Sequence, residues 1–312
     1  MMPRLWIAQF FLVASTCQAA PFAYVPNEKS GTVSVIDTAG DTVVRTIVTG
    51  GKPRGIALSP DGKTLYVSEQ TASALLVIDA ESGRTTGRIQ LGESPEGISL
   101  SRDGRLVAAA SELANGVVVV ETGAGHASWT LPVPGKNPEH AVFSPDGRWL
   151  YVSAEDGAQV DVIDVARRAV VASVPVGRRP RGIAFAPDGS TAWVACELDG
   201  VLVPIDVATQ SAGAPVPVGP FSNGVVVSPD GARVYVSSGR GARVDVVEVA
   251  GRRVSASIPV GQRPWNMAQT PDGRKLYVAN GRSGTASVID TATGKRIADI
   301  PVGELPWGVA IR

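Results

Sequence analysis

Ser228-Pro229-Asp230-Gly231 is followed, three residues on, by Val234-Tyr235-Val236-Ser237, and this pair of marks recurs at a fixed step. Pro187-Asp188-Gly189 with Trp193-Val194-Ala195 lies before it, and Pro271-Asp272-Gly273 with Tyr277-Val278-Ala279 after it, each 42 residues away. A fixed period of this length marks a chain that repeats one supersecondary unit.

Outward from there, the aromatic-Val mark occurs at Tyr24, Tyr66, a degenerate Ala108, Tyr151, Trp193, Tyr235 and Tyr277, spaced 42, 42, 43, 42, 42 and 42. A second register is also sevenfold: Val35-Ile36-Asp37 and its counterparts ending in Asp79, Glu121, Asp164, Asp206, Glu248 and Asp290. Connectors centred on Pro53, Pro95, Pro138, Pro180, Ser222, Pro264 and Pro306 form a third. The additional residue of the 43-step belongs in 123–136. Each unit resolves into four short strands, placed at 224–228, 233–237, 243–248 and 252–260 in one of them. The Pro-Asp-Gly turn joins the first two. Proline presets φ, Asp accepts a local hydrogen bond and Gly takes the positive φ that closes a hairpin. The Asp ring at 37 and its counterparts is read as Asx-type turns.

Four-stranded units of about 40 residues are propeller blades. The expected fold is therefore all-β, a seven-bladed propeller of four-stranded antiparallel blades. The Asp-Gly of this turn is present six times, at Asp61, Asp103, Asp146, Asp188, Asp230 and Asp272. The seventh is missing because the last unit stops in a first strand, 307–312, while the first begins at a second strand, 22–27. Closure of the ring by pairing those two strands is predicted. In the innermost strands large residues (Ile56, Ile98, Ile183) alternate with small ones (Ala57, Ser99, Ala184). They are read as packing between blades, with a channel lined largely by strand-edge backbone.

Lys plus Arg and Asp plus Glu both number 29 and the pI is near 6.8, so neither nucleic acid nor an anionic membrane is expected as partner. Arg4, the apolar run 5–14 and small residues to Ala20 have the order of a secretory signal peptide. The run is too short to span a bilayer. Residues 1–19 are read as that signal and 20–312 as one domain, exported to the periplasm or beyond as a monomer. Cys196 is then the remaining thiol, which excludes an intramolecular disulfide and reads as a small buried hydrophobe.

One face of the ring collects the chemistry. The connectors contribute Arg54, Glu96, Glu139, His140, Arg181, Asn223, Trp265 and Trp307. Glu28, Glu112, Glu155 and Glu197 share one position, four residues after the residue that opens strand two. Arginine forks and tryptophan planes suit a small anionic or aromatic ligand. Two His residues, in different units, do not make a His-rich metal site or a Ser-His-Asp triad. No metal, cofactor or phosphate loop is expected.

The Tyr-Val-Ser/Ala strand, the Val-Ile-Asp-Thr-Ala-Thr-Gly strand and the Ile-Pro-Val-Gly-x-x-Pro-x-Gly connector, best seen in 275–308, resemble the YVTN-family β-propeller repeat. Asn27-Glu28-Lys29, Arg263-Pro264-Trp265, Asn280-Gly281 and Pro306-Trp307-Gly308-Val309 are most similar to periplasmic propellers associated with pyrroloquinoline-quinone-dependent alcohol catabolism. That resemblance implies a non-catalytic binding or accessory module with a periplasmic protein partner or small ligand, and no assigned catalytic residue. The alternative is a lactonase-like hydrolase or lyase on the same face, with Glu139 or Glu155 as base and Arg181 as electrophile.

Overall fold

The computed structural model describes residues 21–311 and contains seven antiparallel sheets arranged as a ring of blades. The expected signal segment, 1–19, lies outside the described residues. Among the described residues no helix is long and apolar enough to cross a membrane.

In the unit delimited above, the strands are Ser222–Val227, Arg233–Ser238, Arg243–Glu248 and Arg253–Pro259. The innermost strand thus begins two residues earlier than expected, a shift that matters for the site. The additional residue of the long step lies in the connector between Ala127–Pro132 and Pro138–Phe143, within the predicted stretch. One blade has its outermost strand split into Ser211–Ala212 and Val216–Pro217, and Gly213 at the break donates to the carbonyl of Pro204. Proline supplies no ladder donor, and Pro204 on one strand and Pro215 within the break on the other both interrupt edge pairing there.

The ring closes as predicted. Ala310 and Ile311 pair antiparallel with Tyr24 and Ala23, giving the sheet that ends in Thr42–Val48 its fourth, innermost strand. Closure gives this blade the same four-strand order as its neighbours.

Seven apolar clusters lie between neighbouring blades. In one, Tyr24, Val33, Val35 and Ile47 of the closing blade meet Leu58, Leu65, Val67 and Leu76 of the next. The turn aspartates stay local: Asp61 accepts from Ser59 Oγ at 2.6 Å and from the Lys63 amide at 3.1 Å. The serine of the Tyr-Val-Ser mark does more. Ser68 Oγ accepts from the Gly55 amide at 2.8 Å and donates to the Glu96 carbonyl of the next blade at 2.6 Å. Ser237 does the same between Gly224 and Trp265. Blades are therefore tied to one another near the axis by hydroxyls as well as by packing.

Close approach there requires glycine. A Cβ at Gly182 would stand 2.5 Å from the Asn223 carbonyl oxygen, and one at Gly224 would stand 2.5 Å from that of Trp265.

Candidate active site

Every fully described innermost strand breaks register just after its first residue. Pro53 pairs with Glu69, but the next pair is Ile56 with Val67, and equivalent shifts occur at Pro95/Ile98, Pro180/Ile183, Ser222/Val225 and Pro264/Met267. Pro138/His140 shifts similarly. A bulge leaves its residue unpaired and re-aims the side chain. The residue after the proline, or after Ser222 in the one blade that lacks it, is Arg54, Glu96, Glu139, Arg181, Asn223, Trp265 or Trp307, and all seven line one cavity of about 260 Å³. Six of these are strand residues, not loop residues as expected. The channel at this end is consequently lined by charged and aromatic side chains, which corrects the expectation of bare strand-edge backbone.

A second ring follows strand two. Glu28, Gln70, Glu112 and Glu155 reach the same cavity. Glu155 is placed by a single 3₁₀ turn, Glu155–Gly157, that ends on Ala158 in the left-handed region. Glu197, Gly239 and Gly281 occupy this position in the remaining three blades. A Cβ at Gly281 would lie 3.0 Å from the Trp265 ring, so glycine here leaves room for the indole.

A third set escaped sequence reasoning. Ser94, Arg179 and Arg263 immediately precede the connector prolines and have φ of 54°, 58° and 55°. Left-handed backbone costs a non-glycine residue about 1–2 kcal/mol, and such strain concentrates at functional sites. Arg179 and Arg263 line the cavity, and Ser94 hydrogen-bonds to groups that do. Their sequence signal is position alone, one before each proline mark.

These side chains form two networks. In the first, Arg54 binds Glu96 and, at 3.2 Å, Glu28. Gln70 Nε2 donates to Glu96 Oε1 at 3.0 Å, and Ser94 Oγ donates to Glu112 Oε2 at 3.0 Å. The second network is centred on Arg181. Its Nη1 meets Glu139 at 2.7 Å and also Glu155, while its Nε meets Glu197 at 2.7 Å. Arg179 bridges Glu155 at 3.1 Å and Glu197 at 3.3 Å, and Arg263 reaches Glu197 at 3.2 Å. Ten of the twelve predicted residues line the cavity. Glu197 anchors three arginines from outside the lining set. His140 does not line the cavity either; it stacks on Trp307 with ring centroids 5.4 Å apart and planes at 20°.

Burial and mutual repulsion separate the carboxyls chemically. Burial, with Glu139 and Glu112 nearby, pushes Glu96 up to about 8 against the pull of Arg54. Burial and the charge of Glu139 push Glu155 up to about 7, despite Arg181 and Arg179. Glu139 is fully buried too, but Arg181, His140 and Arg54 outweigh its desolvation and hold it below the usual carboxylate range. His140 is pushed down by burial, with Arg181 adding to the effect. Buried ion pairs of this kind are no gain over apolar packing. Titratable groups driven apart in one cleft are instead the arrangement expected of acid–base chemistry.

Among the described residues no group of three or more His, Cys, Asp or Glu is arranged to hold a metal ion. Cys196 is buried, its thiol pushed up to about 12 by desolvation, which suits packing rather than nucleophilic attack.

The sequence profile of the family described as "Lactonase, 7-bladed beta-propeller" matches residues 15–131 and 164–297. The uncharacterized protein YncE of Salmonella typhi is 54% identical over 46 residues, which is 15% of this chain and 13% of that protein. Solved structures share the fold. The periplasmic gluconolactonase of Pseudomonas aeruginosa superimposes with a TM-score of 0.78 at 23% identity, covering 93% of this chain and 98% of that one. A Bacteroides uniformis protein proposed to be a 6-phosphogluconolactonase gives 0.77 at 19%, covering 94% and 100%. The Kuenenia stuttgartiensis hydrazine synthase gives 0.77 at 21%, covering 91% and 99%.

Proposed function

As the chain belongs to the seven-bladed β-propeller lactonase family, we propose that it hydrolyses a sugar lactone in the cavity at the mouth of the channel. One observation carries the reading: two buried carboxyls, Glu96 and Glu155, both pushed above the ordinary carboxylate range, line the same small cavity beside arginines. Opening a lactone needs this set of groups. Glu155, as carboxylate, takes a proton from the attacking water while oxygen bonds to the lactone carbonyl carbon. Arg181 and Arg179 stabilise the negative charge that develops on the carbonyl oxygen. As the ring carbon–oxygen bond breaks, Glu96 gives its proton to the departing ring oxygen. Trp265 and Trp307 offer flat apolar walls to the sugar ring. The product is the open hydroxy acid, and the proton held by Glu155 returns to Glu96 through solvent.

The family match favours this hydrolase over an accessory role in quinone-dependent alcohol oxidation. A periplasmic location agrees with the sequence reading of residues 1–19 and is part of the proposal.

The test is initial-rate hydrolysis of a panel of aldonolactones, corrected for spontaneous opening, across pH. Glu155 must be ionised, so kcat/KM falls as pH drops below about 7. Glu96 must be protonated, so it falls again as pH rises above about 8. Each limb approaches a tenfold change per unit, roughly, once well outside the optimum. A rate that does not exceed the spontaneous one for any lactone, or a flat profile across that window, contradicts the assignment.

A further inference from the structure

The two networks differ in charge. The one centred on Arg181 sets Glu139, Glu155 and Glu197 against Arg179, Arg181 and Arg263, one cation for each acid. The other sets Glu28, Glu96 and Glu112 against Arg54 alone. Arg54 is itself committed to Glu96 and Glu28, so this half has no cation free to receive an anion.

It does have an unused hydrogen-bonding group. Glu96 is wholly buried; its Oε1 is held by Arg54 and Gln70, while its Oε2 is buried without any partner. An orphaned carboxyl oxygen at a cavity wall is costly unless a ligand completes it. Arg54 Nε is left in the same condition. The groups that remain, carboxyl oxygens and an amide, are those that bind vicinal hydroxyls.

We propose that Glu28, Arg54, Gln70, Glu96 and Glu112 form a polyol subsite that selects an uncharged, unphosphorylated sugar lactone and rejects phosphorylated ones. This rests on the hydrolase reading above and names its substrate class. With Glu96 protonated, as the hydrolase reading requires, a phosphate monoester reaching this half still meets two acids, Glu28 and Glu112, against one arginine. The same field repels the carboxylate of the product, so opening the lactone weakens its hold on the site.

The experiment uses the full chain with two substrates, glucono-1,5-lactone and its 6-phosphate, and binding of the unreactive glucono-1,5-lactam and its 6-phosphate by calorimetry. Repulsion between like charges brought together on binding is worth several kcal/mol, so kcat/KM for the neutral lactone is expected to exceed that for the phosphorylated one by about 100-fold or more. Glu112 is only part-buried, so a longer side chain there can extend toward solvent. Glu112→Arg is expected to narrow the ratio by about tenfold or more, because one acid is replaced by a phosphate fork. A melting curve matching the wild type's is the check that the variant folds.

Equal or preferred turnover of the phosphorylated lactone overturns the subsite while leaving the hydrolase reading intact. An unchanged ratio in a folded Glu112→Arg protein overturns it as well. If neither lactone is hydrolysed but the neutral lactam binds and its phosphate does not, the subsite stands and the hydrolase reading falls. If neither lactam binds, both fall.

Discussion

Replacing Arg181 with methionine is expected to lower the melting temperature by roughly 10 °C near neutral pH and to reduce lactone turnover by about 10²–10³-fold. The guanidinium contacts Glu139, Glu155 and Glu197, all of them buried. Without it Glu139 loses its ion pair, and Arg179 and Arg263 remain for Glu155 and Glu197. Removing one partner of a buried ion pair costs about 3–5 kcal/mol, because the remaining charge is stranded. The deficit has a predictable pH dependence. Arg181 is the chief counter-charge that holds Glu139 below its usual range. Stability from a depressed carboxyl is present above its unfolded-state value and is lost as pH falls through its folded value. The wild-type advantage should therefore be full near neutral pH and shrink in acid, where the variant's carboxyls take up protons. Paired thermal melts at neutral and acid pH would show this; a variant that melts like the wild type at both would remove the network from the account.

Deleting residues 307–312 should abolish cooperative unfolding of the whole ring. The segment carries the innermost strand of the closing blade, pairing Ala310 and Ile311 with Tyr24 and Ala23. It also buries Trp307, Val309 and Ala310. Each large apolar side chain contributes about 1.5–3 kcal/mol by burial, so the loss approaches the roughly 5–15 kcal/mol by which such domains are stable. The deletion also exposes the inner edge of Phe22–Asn27 toward the channel. Since Trp307 lines the cavity, activity alone would not separate closure from chemistry. A rearranged chain does so: residues 307–311, then Ser-Pro-Asp-Gly-Lys as in 59–63, then Phe22 onward. This gives the seventh blade the turn that the other six possess. Recovery of the sharp melt supports closure by this strand; a truncated chain that already melts like the full one contradicts it.

The repeat made the fold readable because each mark has a local mechanical reason. The turn aspartates hold their own hairpins, and the serines of the Tyr-Val-Ser strand join one blade to the next. The two polar rings of the site were readable as departures from the repeat, since packing does not require Glu at 28, 112, 155 and 197 or Arg at 54 and 181. The bulge after each proline was not. Large–small alternation sets in at Ile56, two residues past Arg54, and carries no trace of the slipped register that turns Arg54 into the channel. The left-handed residues were hidden for a related reason. Ser94, Arg179 and Arg263 adopt a conformation that glycine usually signals. Only the surrounding strands hold them there. Sequence position also gave no sign that Glu96 and Glu155 would be driven above the ordinary carboxylate range, because burial comes from neighbouring blades far along the chain.

The central claim is that this cavity opens lactones with Glu155 as base. It is tested most directly by the initial rate of glucono-1,5-lactone hydrolysis, above the spontaneous rate, for wild type and Glu155→Gln at about pH 7.5, between the limbs assigned to the two carboxyls. The amide keeps the shape of the side chain but cannot accept the proton. The account predicts clear turnover by the wild type and a kcat lower by about 10²–10⁴-fold in a variant that melts normally. Equal rates for the two proteins would contradict it.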